Sequence, residues 1–179
     1  MIFHPTSLPG AYVVELEPVA DERGHNARTW CRREFEEMGL TAHVEQANTI
    51  YNPREGTLRG MHYQVPPAAE SKLFRVIRGA VHDVIIDLRP GSETYGEWES
   101  FLLSAAEPRL LYVPECFAQG FQTLEDHTEI TYQVSAAYSP ELGRGLRYDD
   151  PAFDLDWPLP VEVLSEKDRS WPDFVPERT

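Results

Sequence analysis

The chain has 179 residues, the length of a single domain at roughly 150 residues apiece. With 41% hydrophobic and 26% charged residues it falls outside the disordered and low-complexity classes, and 30 acidic against 16 basic residues leave a formal charge of -14, which argues against a nucleic-acid surface. No apolar run approaches the ~20 residues that span a bilayer and the N-terminus lacks a signal-peptide pattern, so the expectation is one globular domain over residues 1–179, cytoplasmic, with neither nucleic acid nor membrane as partner.

In chain order, Arg32 to Met38 predicts a short helix ended by Gly39, with Phe35 and Met38 three residues apart and Glu34, Glu36 and Glu37 toward water. Beyond it, Phe74 to Ile77, Val81 to Leu88, Glu99 to Leu103 and Leu110 to Val113 read as short strands. In the second of these Val81, Asp83, Ile85 and Asp87 share one face and His82, Val84, Ile86 and Leu88 the other, an imperfect alternation. Turn signals at Pro90-Gly91, Ala106-Glu107-Pro108, Glu125-Asp126 and Ser139-Pro140 recur at the spacing of an antiparallel sandwich or barrel. A short helix is expected around Ser165 to Ser170. The fold class is therefore mainly β with a few short helices. Cys31 and Cys116 lack CxxC spacing and read as reduced, buried thiols.

No GxGxxG, GxxxxGK or GxSxG motif is present, which removes the dinucleotide, P-loop and hydrolase-elbow readings. Of the 16 basic residues only Lys72 and Lys167 are lysine. A lysine offers a compact ammonium that arginine does not imitate; the plain alternative is compositional chance. Arg54, Arg59, Lys72, Arg75 and Arg78 stand against Glu55 and Glu70 in one segment, a local net charge of +3. Such a patch suits a phosphate or diphosphate, and equally cross-strand pairing with surface carboxylates.

The run Leu58-Arg59-Gly60-Met61-His62-Tyr63-Gln64-Val65-Pro66-Pro67, continued through Lys72 to Gly79, Asp83 to Ser92, Val113 to Leu124, Tyr132, Arg144 to Phe153 and Leu164 to Asp168, resembles the dTDP-4-dehydrorhamnose 3,5-epimerase family of the cupin superfamily. Arg23-Gly24 and Gln46-Ala47-Asn48 extend the resemblance toward the front. It implies a double-stranded β-helix, or jelly roll, that forms homodimers, and an isomerase acting on a nucleotide-diphosphate 4-keto-6-deoxysugar in deoxysugar or polysaccharide biosynthesis. The positions that carry metal ligands in other cupins hold His62, Gln64, Lys72 and Gln119 here; one imidazole, two amides and an ammonium do not make a divalent-metal site. The reading is therefore no metal and no cofactor, with Glu70 and His82 the residues that could in principle add ligands.

By the same resemblance His62 is the base, Asp168 orients it, Tyr132 is the acid on the opposite face of the sugar and Lys72 holds the ketone oxygen as the enolate develops. Arg59 and Lys167 resemble diphosphate ligands, and Arg23, Gln46 and Asn48 resemble nucleotide and sugar contacts, some of which cross the dimer interface in relatives. His4, His25, His43 and His127 read as structural residues rather than catalysts. Three departures stand out. Gln119 occupies a position that is histidine in relatives, where its amide is read as a hydrogen-bond donor to the enolate oxygen. His25-Asn26 replace apolar or aromatic residues near the nucleotide, and Arg28 stands where many members have glutamate. The alternatives are a single-carbon epimerase of another nucleotide sugar and a sugar-nucleotide binding module without turnover.

Overall fold

The short strands are separated by prolines and glycines, which break the ladder and turn the chain. A computed structural model describes residues 1–176. In chain order it contains β1 (Ile2–Pro5), β2 (Tyr12–Glu15), β3 (Val19–Asp21), β4 (Gly24–Asn26), α1 (Arg32–Glu37), β5 (Gln46–Asn52), β6 (Leu58–Gln64) and β7 (Lys72–Arg78). Then follow β8 (Ala80–Asp87), β9 (Trp98–Ser104), β10 (Arg109–Val113), β11 (Phe117–Thr123), β12 (Thr128–Val134), β13 (Gly143–Gly145) and α2 (Glu166–Arg169). One sheet runs β1-β2-β10-β7-β12-β5 and a second β13-β6-β11-β8-β9, while β3 and β4 form a separate hairpin. Neighbouring strands pair antiparallel in all three. From β5 onward the chain alternates between two facing sheets, except that β8 and β9 are neighbours in the smaller one, the expected jelly roll. Among the described residues no helix is long and apolar enough to cross a membrane.

Three apolar layers hold the sheets. Phe74, Val76 and Ile130 of the larger sheet meet Val81, Ile85, Phe117 and Phe121 of the smaller one between them. Outside the larger sheet Val14, Leu73, Leu110 and Tyr112 are covered by Phe35 of α1. Outside the smaller sheet Val84, Ile86 and Ala118 are covered by Leu146 and Phe153 of the C-terminal segment. This explains the imperfect alternation of β8, which has apolar cover on both faces: Val81 and Ile85 point inward, Val84 and Ile86 outward. Full burial of each such large side chain stabilises the fold by roughly 1.5–3 kcal/mol.

The structure also departs from the expectations. In α1 Phe35 is buried, but Met38 lies at the C-cap and is 40% exposed, because the helix ends before a second turn brings it under cover. Cys31 and Cys116 are unpaired as read, yet each is only partly buried, since both sit at element boundaries rather than in a core layer.

Candidate active site

The two sheets enclose a cavity of about 790 Å³ at one end of the sandwich. It exists because the inward positions there are polar: His62 and Gln64 on β6 and Gln119 on β11 come from the smaller sheet, while Lys72 on β7, Tyr132 on β12 and Gln46 and Asn48 on β5 come from the larger. Phe74 and Phe121, with ring centroids 5.5 Å apart, close its apolar floor.

The approach of β6 and β11 sets the position of His62. Gly60 has φ 121°, and a Cβ there would stand 2.5 Å from Gly120 Cα and 2.8 Å from the Gln119 carbonyl oxygen. A Cβ on Gly120 would in turn stand 2.5 Å from Met61 Sδ. Two glycines therefore face each other where any side chain would separate the strands, and the register shifts between Gln119 and Phe121. The result is that His62 pairs directly with Gln119 and both face the cavity.

Asp168 arrives from far along the chain. Ser165 caps α2, its hydroxyl accepting from the Asp168 backbone N–H at 3.0 Å. The Asp168 side chain, 5% exposed, places Oδ1 2.5 Å from His62 Nε2. Burial pushes the Asp168 carboxyl up, but the hydrogen bond and charge of His62 outweigh it and hold the group below the usual carboxylate range. The dyad thus uses Nε2, which leaves Nδ1 of His62 as the ring nitrogen open to substrate.

Lys72 donates from Nζ to the His62 carbonyl oxygen at 2.9 Å and stands 3.6 Å from Glu70 Oε1. Burial pushes its ammonium pKa down, against the charges of Glu70 and Asp83. Burial likewise raises the Tyr132 phenol, helped by the charge of Glu70, so the phenol stays protonated through neutral pH. Arg59 lines the cavity with Nε bonded to Asn52 Oδ1 at 2.8 Å, and Lys167 lines it with Nζ 5.6 Å from the centroid of the Trp171 ring.

Nine of the ten residues singled out from sequence therefore line one cavity, and Arg23 does not. It lies on the exposed β3–β4 hairpin, bonded to Asp21, because that hairpin pairs with neither sheet. His25 and Asn26 share the hairpin, and Arg28 donates to Glu34 at 2.8 Å, so neither of the two departures near the front reaches the cavity of its own chain. The basic segment is not one patch either: Arg59 and Lys72 point into the cavity, while Arg54, Arg75 and Arg78 lie outside it.

Of the two possible extra ligands, Glu70 lines the cavity, but His82 faces the outer layer 5.8 Å from Trp157. Among the described residues no three His, Cys, Asp or Glu side chains gather as a metal site. His4, His43 and His127 bond at the surface to Glu15, Glu45 and Tyr51.

Gln119, read as a donor to substrate, also has a partner within the protein. Its Nε2 is committed to Asp83, 3.0 and 3.2 Å from the two carboxylate oxygens, which leaves Oε1 as the free end of the amide. Asp83 is a site residue that the sequence reading did not assign. The signal was present: Asp83 and Asp87 share the inward face of the Val81 to Leu88 strand with Val81 and Ile85, and of these two buried carboxyls Asp87 is matched by Arg89 while Asp83 has only an amide.

A family model described as dTDP-4-dehydrorhamnose 3,5-epimerase matches residues 5–175. The dTDP-4-dehydrorhamnose 3,5-epimerase of Methanothermobacter thermautotrophicus is 42% identical over 172 residues, covering 94% of this chain and 92% of that protein. The crystal structure of dTDP-4-dehydrorhamnose 3,5-epimerase from Bacillus anthracis, with TDP and PPi bound, matches with a TM-score of 0.93 at 36% identity, covering 97% of this chain and 99% of the other. A 3'-monoepimerase from Streptomyces bikiniensis, in complex with dTDP-quinovose, matches with a TM-score of 0.87 at 31% identity over 95% of this chain and 86% of the other.

Proposed function

The chain belongs to the dTDP-4-dehydrorhamnose 3,5-epimerase family, and on that premise we propose that His62, Asp168, Tyr132 and Lys72 invert carbon centres beside the ketone of a dTDP-4-keto-6-deoxysugar. The observation that carries this is the His62–Asp168 pair at 2.5 Å, facing Lys72 and Tyr132 across one cavity.

His62 Nδ1 takes the proton from the carbon next to the ketone. The electron pair of that C–H bond moves to the ketone oxygen, which Lys72 Nζ stabilises as an enolate. Asp168 remains ionised and balances the imidazolium. The Tyr132 hydroxyl then gives its proton to the opposite face of the carbon, the enolate electrons form the new C–H bond, and His62 and Tyr132 return to their starting states by exchange with solvent. Arg59 and Lys167 hold the diphosphate, and Gln46 and Asn48 hold the sugar and nucleoside. None of these steps uses a metal or redox cofactor. A binding module without turnover has no use for a base, an orienting carboxylate and an acid held protonated in one cavity.

Residues 1–179 act as one cupin-type epimerase domain, and the enzyme works as a homodimer. The placement of Arg23 supports the dimer: it sits on a projecting hairpin with Val19 76% exposed, positioned to serve the cavity of a second copy rather than its own. Two unpaired thiols suit the reducing cytoplasm.

A second reading, inversion of one carbon rather than two, is favoured by Gln119: an amide held by Asp83 cannot carry the positive charge of an imidazolium beside the enolate. Deuterium uptake from D₂O into dTDP-4-keto-6-deoxyglucose tests both. Exchange at C3 and C5 identifies the double epimerase, exchange at one carbon the single epimerase, and no exchange the binding module.

A further inference from the structure

Two buried carboxyls beside the cavity, Asp83 and Glu70, have no part in the proton transfers above. Lys72 is the cation they share. Its Nζ lies 3.6 Å from Glu70 Oε1, whereas the hydrogen-bond partner of Asp83 is the Gln119 amide. Asp83 is 0% exposed, and the Lys72 and Glu70 side chains are 12% and 8% exposed. Two carboxylates and one ammonium withdrawn from water leave one negative charge without a counter-charge. Such a site takes up a proton instead. Burial pushes both carboxyls up, but the ammonium beside Glu70 works against that rise, whereas Asp83 has only a neutral amide in hydrogen-bond reach and stands well above the usual range.

A protonated carboxyl changes what the amide must do. Ionised Asp83 needs donors, so Nε2 of Gln119 turns toward it and Oε1 is left for the cavity. Protonated Asp83 has an O–H to give, and a half-turn of the amide about its last torsion exchanges Oε1 and Nε2 in place. Oε1 then accepts from Asp83 and Nε2 faces the cavity. A ketone or enolate oxygen offers no proton, so only the second arrangement serves it.

We propose that Asp83 is a positioning residue: its carboxyl carries a proton in the reacting enzyme and holds Gln119 with Nε2 toward the cavity, making the amide a second donor, beside Lys72, to the substrate carbonyl oxygen. The proton stays on Asp83 through turnover. The charged groups facing the cavity from the strands packed against this pair are Lys72 on β7 and Arg59 on β6, with Glu70 next to Lys72, and the His62 ring stands opposite Gln119. The inference rests on the epimerase reading, since it assigns Nε2 a role only toward a carbonyl substrate.

The test joins infrared spectroscopy to deuterium exchange. At pH 7 the wild-type protein should show the C=O stretch of a neutral carboxylic acid that is absent from Asp83→Asn and shifted in Gln119→Leu, where the acceptor for the acid proton is gone. Asp83→Asn, whose Nδ2 still donates to Gln119 Oε1, should keep kcat for exchange within about threefold of wild type. Asp83→Leu and Gln119→Leu should each lose about 10- to 100-fold in kcat with little change in KM, a share of what a single oxyanion donor contributes. No such band, or Asp83→Asn falling as far as Asp83→Leu, would overturn the proposal by showing that the charge and not the donor matters. If the wild-type protein exchanges no deuterium, the epimerase reading fails by itself while the infrared band still decides the state of Asp83.

Discussion

Replacing Asp168 with asparagine isolates what the dyad contributes. The substitution keeps the volume and the α2 cap, because Ser165 bonds the backbone N–H and not the side chain. What changes is the charge beside His62 Nε2, at 2.5 Å in the native pair. Two unit charges about 4 Å apart at an effective dielectric of ~20 attract by about 4 kcal/mol. His62 is 45% exposed on its side chain, so solvent screens part of this, and about 2 to 3 kcal/mol of imidazolium stabilisation is the expected loss. That corresponds to a fall in kcat of roughly 30- to 150-fold. If the asparagine turns Nδ2 toward the ring, it also favours the tautomer with the proton on Nδ1, the nitrogen that must act as base, and the loss moves to the upper end. KM should change little, because Asp168 acts through His62. Initial rates of deuterium exchange over a range of substrate concentration measure both, with near-ultraviolet circular dichroism as the control for folding. A kcat within threefold of wild type, or a loss expressed only in KM, would show that Asp168 does not prepare His62 for proton transfer.

Tyr132→Phe should leave deuterium exchange detectable while suppressing inverted product, because removal and return of the proton at His62 remain possible on one face; equal suppression of exchange and inversion would show that Tyr132 is not a separate acid. Prolonged chelation should leave exchange rates and melting temperature unchanged, given an imidazole, two amides and an ammonium at the four ligand positions; recovery of lost activity by one divalent metal would reverse that assignment. Asp87 is held at about 2: burial pushes it up, and Arg89, Ser92 and Thr94 together pull it down further. Its folded value lies below the unfolded one, so it contributes about 2 kcal/mol that is fully present above pH ~4 and lost as pH falls toward ~2. Denaturant titrations of Asp87→Asn should show that deficit at pH 7 and its disappearance near pH 2, and a deficit independent of pH would deny the ionic origin.

The sequence was easiest to read where it is only structural. Phe74 to Ile77 lies inside β7 (Lys72–Arg78), and Glu99 to Leu103 inside β9 (Trp98–Ser104). On β5, β6 and β11 the alternation is hidden, because the inward positions that would supply apolar residues carry Gln46, Asn48, His62, Gln64 and Gln119 instead. The needs of the cavity erase the signal that identifies a strand. There the family motif supplied what periodicity could not, and it brought His62 and Asp168 together across 106 positions of sequence. A motif, however, does not say whose cavity a residue serves. Arg23 matches in sequence yet lies outside the cavity of its own chain, on an exposed hairpin with no partner in either main sheet. Nor does it say which end of an amide faces substrate: for Gln119 that depends on the protonation of its partner, Asp83.

The two-sheet architecture also explains why this fold suits inversion. Inverting a carbon requires a base on one face of the sugar ring and an acid on the other, each fixed to within a fraction of an ångström. In a cavity lined by a single sheet both groups would project from the same side. Here His62 stands on β6 of the smaller sheet, and Tyr132 and Lys72 stand on β12 and β7 of the larger one. In the proposed mechanism a flat ring lying between the sheets meets the base, His62, from one wall and the acid, Tyr132, from the other. The separation also keeps the acid and base from quenching one another: His62 is tied to Asp168 on the side of its own sheet, while Tyr132 lies near Glu70, whose charge discourages ionisation of the phenol. On that mechanism, stereochemical choice reduces to which carbon beside the ketone is presented to Nδ1 of His62. By the same proposal that choice depends on how the ketone oxygen is held, so substitutions in the Lys72, Gln119 and Asp83 group should alter the ratio of exchange at the two carbons beside the ketone, and an unchanged ratio would refute it.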